Sequence, residues 1–327
     1  MTTDPAVPEA APKASRRAVI MTWLKRVLLV VVLAVAVYQL VKQWPEVSHT
    51  LSQLPWPSVV LSFLAALLGI LLGPMAWRVI LADLGTPVRR TDASMIFLVG
   101  QLGKYIPGSV WAFLLQMELG KSAGITRMRA FTASLITTGL GIVASLVAGF
   151  LAMPVILDGH RELLWVFAPL PLGLILLHPR LLTWIVSRIL RVLRRPPLPH
   201  PLSGKAILRN VGWALSANLL LGLHLWLLAD ALGSPGFSTF LLCTGAMALA
   251  MTTGVLAFFL PSGIGAREVV LVATLTTVMP SGSALALALV SRVMFTVVDL
   301  VSAGGAALLA RAHKPQPAPD VTDPANA

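Results

Sequence analysis

The chain has 327 residues, 57% of them hydrophobic and 12% charged, with a mean hydropathy of +0.84 and a formal net charge of +12. Soluble domains carry about a quarter charged residues, so an ordinary water-soluble domain is excluded. The excess of Lys and Arg fits cytoplasmic loops that set membrane topology rather than a nucleic-acid footprint, because no basic block is interleaved with aromatics on a soluble segment.

A helix needs about 20 apolar residues to cross the hydrocarbon of a bilayer. By that measure the chain is all-α, a polytopic integral membrane bundle of about 7–8 hydrophobic spans with one or two re-entrant or broken helices. Residues 1–18 are rich in Pro, Ala and charge and are expected to be disordered on the cytoplasmic side. A single transmembrane domain is expected over 19–311, and a Pro-rich disordered tail over 312–327. The run 27–41 follows Lys25 and Arg26. It reads as a signal peptide with a cleavage site at "AVA" or as an uncleaved first helix, and its continuation to Leu40 and Val41 suits the helix. Further runs cover 58–82, 128–153, 163–178, 206–231, 237–260 and 283–310, with a shorter one at 268–279.

Arg16, Arg17, Lys25 and Arg26 place the N-terminus in the cytoplasm. The basic loops "DLGTPVRR" and 121–129 and the cluster 180–209 belong on the same side. Within that cluster "LLTWIVSRILRVLRR" reads as an interfacial helix, with Arg on one side and Trp and Leu on the other. After Leu260 two topologies are open. If 268–279 crosses together with 261–267, the tail is cytoplasmic. If that segment is re-entrant, the tail lies outside.

Two stretches break the apolar pattern. Arg89 and Arg90 precede "ASMIFLVGQLGKYIPGSVWAFLLQMELG", and Lys121, Arg127 and Arg129 follow it. Both flanks are cytoplasmic, yet each arm of about 12 residues reaches only about 18 Å. The segment therefore reads as a re-entrant hairpin over 93–120 with its tip at "KYIPG". Gly103 and Gly108 ease the turn, and Pro107 disfavours helix at Ile106. The second break, 261–267, lies in "FFLPSGIGAREVV". Pro261 stops a helix, Gly263 and Gly265 allow a turn, and a short helix then starts whose N-terminal amides would attract an anion.

Both breaks carry charge. A lysine at the hairpin tip, Lys104, costs about 2.5–3.5 kcal/mol near the midplane. It marks either a binding site or a structural ion pair with a carboxylate elsewhere. Arg267 is a fixed bidentate ligand for phosphate or carboxylate. Glu268 has three candidate partners: Arg267, Lys104 or a cationic headgroup. Arg292 and Asp299 lie two turns apart on nearly one helix face. They are too distant to pair with each other, and Arg292 is suited to face Glu268. The candidate substrate-binding set is Gln101, Lys104, Tyr105, Arg267, Glu268, Arg292 and Asp299. Trp111 and Asn218 are further cavity candidates, and Glu118 reads as a solvated charge. The candidate break positions are Gly103, Pro107, Gly108, Pro261, Gly263 and Gly265. "GLGIVASLVAG" is expected to serve helix packing.

The lone cysteine, Cys243, excludes an intramolecular disulfide and a Cys-rich zinc site. No metal site and no cofactor are expected. No nucleophile–base set or phosphate loop can be assembled, and "GIGARE" lacks the dinucleotide-binding spacing. The chain is not expected to be an enzyme.

With "GQLGKYIPGSVW", the continuation "KSAGITRMRAF" and "LPSGIGAREVVL", the chain resembles the lysylphosphatidylglycerol synthase transmembrane-region family over roughly 24–310. That family includes the flippase part of the bacterial multiple peptide resistance factor and stand-alone membrane proteins. The resemblance carries over Lys104, Pro107, Gly108, Gly263, Gly265, Arg267 and Glu268 as motif positions. Family members usually read Gly-Gly where this chain has Ser262 and Gly263. It implies a protein of the bacterial cytoplasmic membrane that moves a polar or anionic lipid between leaflets, or that supplies lipid to a partner enzyme. The 312–327 tail is too short for an aminoacyl-transferring domain, so aminoacyl-lipid synthesis is not expected. Two functions follow as expectations. One is a translocase whose partners are membrane lipids with a polar or anionic headgroup. The other is a non-transporting scaffold or accessory subunit for a lipid-modifying enzyme or glycosyltransferase, docking through 180–209.

Overall fold

The computed structural model describes residues 52–106, 110–153, 170–192, 198, 201–257 and 259–312, with a few isolated positions before residue 52. Pro107, Gly108, most of the 27–41 run, residues 163–169 of the 163–178 run and both predicted disordered termini lie outside the described residues. The described elements are all helical. In chain order they are α1 (Trp56–Asp83), α2 (Arg90–Gln101), α3 (Val110–Lys121), α4 (Arg127–Gly149), α5 (Leu170–Leu176), α6 (Pro179–Val192), α7 (Gly204–Ala231), α8 (Phe237–Leu256), α9 (Ala266–Leu275) and α10 (Ser281–Ala312). Five of the described helices are long and apolar enough to cross a membrane: α1, α4 with its 3-10 extension to Ala152, α7, α8 and α10. These helices fit an integral membrane protein.

Local signals set the helix ends. Pro55 and an early proline in the first turn open α1, where a missing N–H costs nothing. Thr126 caps α4 by accepting from the Arg129 N–H, and Ser203 caps α7 by accepting from the Ala206 N–H. Helix α8 ends at Leu256, earlier than the predicted 260. Pro261 has no N–H to offer the Ala257 carbonyl and holds Leu260 in extended backbone at φ −94°, ψ 130°.

Polar contacts fix which ends of the bundle lie together. Helices α1 and α7 pack antiparallel. Asp83 accepts from the Ser203 N–H at 2.9 Å at one end, Asn210 donates to the Ala76 carbonyl at 2.9 Å, and Ser62 meets His224 at 2.7 Å toward the other. Arg129 donates to Thr86 at the Asp83 end. At the opposite end Ser234 donates to the Val278 carbonyl at 3.3 Å.

The chain then reads as two similar units. In the first, span α1 is followed by the hairpin α2–α3 and span α4. In the second, span α7 is followed by α8–α9 and span α10. The α2–α3 hairpin rises from the Asp83 end. Its arms pack backbone to backbone: a Cβ at Gly103 would sit 2.6 Å from the Ala112 nitrogen. Ile70, at the middle of α1, packs on the cluster that holds Leu102 and Tyr105, so the hairpin tip lies at mid-depth. The α8–α9 pair descends from the Ser234 end and returns to it. Its reversal packs on the first hairpin, because the 3-10 turn Leu102–Tyr105 contacts the 3-10 turn Pro261–Gly263. The two hairpins enter from opposite ends and meet inside the bundle.

This arrangement corrects the topology expected after Leu260. The segment 268–279 is mostly α9, ten residues that reach about 15 Å. It is not a crossing. Yet the tail does not end up at the Ser234 side. Asp299 meets the hairpin tip, Ala303 and Ala306 pack with Leu98 and Leu102, and α10 continues toward the Asp83 end. Arg311 therefore belongs to the same end as the basic loops.

Helix α6 also differs from expectation. Leu182, Val186 and Leu190 bury against the bundle, while Trp184 is exposed. On a 3.6-residue period Trp184 shares its face with Arg180, Arg188 and Arg191, rather than opposing them. In "GLGIVASLVAG", Gly139 and Gly141 touch no neighbour among the described residues where a Cβ would stand. They do not serve close packing there.

Candidate functional site

The site forms where the two hairpins meet α10. Lys104, on the first tip, pairs with Asp299 of α10 at 2.6 Å. The neighbouring Tyr105 hydroxyl donates to the same carboxylate oxygen at 2.7 Å. Two turns away on α10, Arg292 forms an ion pair with Glu268 of α9. The other Glu268 oxygen accepts from the Gly265 N–H at 2.7 Å. The protein's own carboxylate thus fills the N-terminus of α9, which sequence reasoning had offered to an external anion.

Arg267 is different. It is buried, at 8% exposure. Its guanidinium stands 4.6 Å over the Phe295 ring, and one amino group meets the Met247 sulfur at 3.8 Å. Among the described residues no carboxylate forms an ion pair with it. The cluster holds three cations (Lys104, Arg267, Arg292) and two carboxylates (Glu268, Asp299). The surplus charge is one positive, and Arg267 is the cation of the cluster that makes no ion-pair contact among the described residues.

A cavity of about 140 Å³ opens beside this charge, lined by Gln101, Lys104, Gln116, Ser134, Ser262 and Arg267 together with apolar groups. Among the described residues no carboxylate lines it. The rest of the described lining is uncharged, polar at Gln116, Ser134 and Thr138 and apolar at Phe97, Phe113 and Met251. Ser134 bonds the Gln116 carboxamide and accepts from the Trp77 indole N–H at 2.9 Å.

The backbone around the second break is tightly set. Gly263 has φ +67°, and a Cβ there would stand 2.5 Å from the Gly254 Cα, so only glycine fits. Ser262 has φ +52°, in the left-handed region that ordinarily favours glycine.

A family model described as the lysylphosphatidylglycerol synthase TM region matches residues 23–303. The chain belongs to this family. No curated protein matches it. Of the positions on which the sequence resemblance to the lysylphosphatidylglycerol synthase TM family was drawn, Lys104 and Arg267 line the cavity. Glu268 holds the adjoining turn, and Gly263 makes the close approach to α8.

Of the sequence-derived candidates, Gln101, Lys104 and Arg267 face the cavity. Tyr105, Glu268, Arg292 and Asp299 form the paired network behind it. Asn218 lies apart, where its amide meets Ser145 at 3.2 Å. Glu118 is half-buried and pairs with Arg127, so it is not a free solvated charge. Gln116 and Ser134 were missed. A lone amide inside the apolar arm "VWAFLLQMELG" is the signal that pointed to the first. Among the described residues no group of three or more His, Cys, Asp or Glu side chains could hold a metal ion.

Proposed function

We propose that this protein is a lipid translocase that receives a polar, anionic headgroup in the mid-depth cavity and passes it between leaflets. The observation that carries the reading is Arg267, a buried cation with no ion-pair partner among the described residues, placed on the wall of a cavity. A charge left bare in the bundle is costly, and a substrate phosphate offsets that cost through two parallel charge-assisted hydrogen bonds. Lys104 adds a second cation whose charge Asp299 shares. Gln101, Gln116, Ser134 and Ser262 supply neutral partners for headgroup oxygens. Two span–hairpin–span units of opposite orientation, with broken helices meeting at mid-depth, are the arrangement that secondary transporters use around a central site. No bond-making step is part of this reading.

The test is movement of a fluorescent phosphatidylglycerol across proteoliposome membranes, read by a quencher confined to the outside. Wild type should equilibrate the label between leaflets, and Arg267→Met should slow it at least tenfold. Equal rates in the two proteins would remove the reading.

A further inference from the structure

A second opening lies against the first. It encloses about 240 Å³ between α1, α2, α4, α7 and α8. Phe97, Gln101, Thr138, Met251 and Val255 line both, so the two spaces share one wall. Among the described residues this groove opens sideways. Trp213, on its rim, is 39% exposed ten residues into span α7, and Val255, 45% exposed, stands at the end of α8 beside the mid-depth reversal. At that depth the side of the bundle faces acyl chains, not water.

The groove is not lined as a simple helix–helix crevice. Thr137, Thr138, Gly141 and Ser145 fall on one face of α4, and Asn218 of α7 faces them. Asn210 is fully buried and bonds Ala76 and Thr137, both residues at the groove. Its carbonyl oxygen has no donor among the described residues. Polar groups along a lipid-facing slot allow a headgroup to travel while its chains stay in the bilayer.

We propose that this groove is the lateral doorway through which an anionic lipid bearing acyl chains reaches the Lys104–Arg267 cavity. The inference rests on the translocase reading and names its route. A soluble anion would instead arrive from the aqueous end and ignore the groove.

Gly141 gives a clean test. A Cβ there meets nothing within 4 Å, and the same holds for Gly139, which lies outside the groove lining. Leucine is a better helix former than glycine at either position, so neither variant should fail to fold. The full chain, purified and stripped of lipid, is offered phosphatidylglycerol in nanodiscs, and bound lipid is counted by native mass spectrometry. Binding of soluble glycerol phosphate is titrated in parallel. Gly141→Leu should load phosphatidylglycerol at least tenfold more slowly than wild type while holding glycerol phosphate unchanged. Gly139→Leu should match wild type in both. Normal loading by Gly141→Leu overturns the doorway and leaves the cavity reading standing. A wild type that holds glycerol phosphate but no phosphatidylglycerol assigns the cavity to a soluble anion and overturns it too. A wild type that holds neither removes the translocase reading and the doorway with it.

Discussion

Replacing Arg267 with methionine separates the two costs that meet at this residue. The side chain is buried, and its contacts are the Phe295 ring at 4.6 Å and the Met247 sulfur at 3.8 Å. Withdrawing a charge from water costs several kcal/mol even after relaxation. A desolvated cation–π contact returns about 2 kcal/mol, and a thioether is a weak acceptor. Glu268 and Asp299 attract the guanidinium without touching it and Arg292 repels it, so the balance is unfavourable, with burial the largest contribution. A methionine of similar length keeps the packing against Phe295 and Met247. Arg267→Met should therefore raise unfolding stability by about 1–4 kcal/mol, the gain seen when buried charges give way to well-packed apolar groups. The assay is reversible denaturation of the purified protein in mixed micelles, wild type against variant, in lipid-free samples. A loss of more than about 2 kcal/mol, which for a buried site signals a broken specific interaction, would refute the reasoning. It would mean that the guanidinium has a counter-charge and that the cluster has no surplus to offer a ligand.

The paired residues should behave in the opposite sense. Lys104→Ala leaves the Asp299 carboxylate with the Tyr105 hydroxyl but no ion-pair contact and should cost about 1–3 kcal/mol, while Lys104→Ala combined with Asp299→Asn should recover part of that loss in a double-mutant cycle. Gly103→Ala pushes a methyl toward the Ala112 backbone, so it should destabilise by about 1–3 kcal/mol through overpacking, read as a lowered denaturation midpoint. Ser262→Gly relieves a left-handed conformation and should stabilise by about 1 kcal/mol in the same measurement.

Sequence pattern reached far into this fold because lipid makes length and charge decisive. The apolar runs near 58–82, 128–153, 206–231 and 283–310 appear as spans close to their predicted limits. The 93–120 hairpin was legible from arithmetic: basic residues at both flanks and arms too short to cross. Arg292 facing Glu268 was legible because two charges seven residues apart on one helix must find partners elsewhere.

Other features were out of reach for physical reasons. Asp299 as the partner of Lys104 is a contact across most of the chain, and nothing local marks it. The second hairpin was left as one of two alternatives because α8 is long enough to cross. Its reversal shows only when α9 returns to Ser234. Helix α6 was misread because a run such as "LLTWIVSRILRV" holds apolar residues on several faces, and only packing picks Leu182, Val186 and Leu190. Glu268 looked like a ligand group, whereas its geometry closes the turn at Gly265. Gly139 and Gly141 fit a packing motif by composition, but spacing alone does not say which glycine meets a neighbour.

The central claim is that the surplus positive charge in the cavity holds an anionic lipid headgroup. Its most direct test is mass spectrometry of the lipids that co-purify with wild type and with Arg267→Met, both shown to be folded. The account predicts an anionic lipid enriched over the bulk membrane in wild type and absent from the variant. Identical bulk-lipid profiles in the two proteins would contradict it.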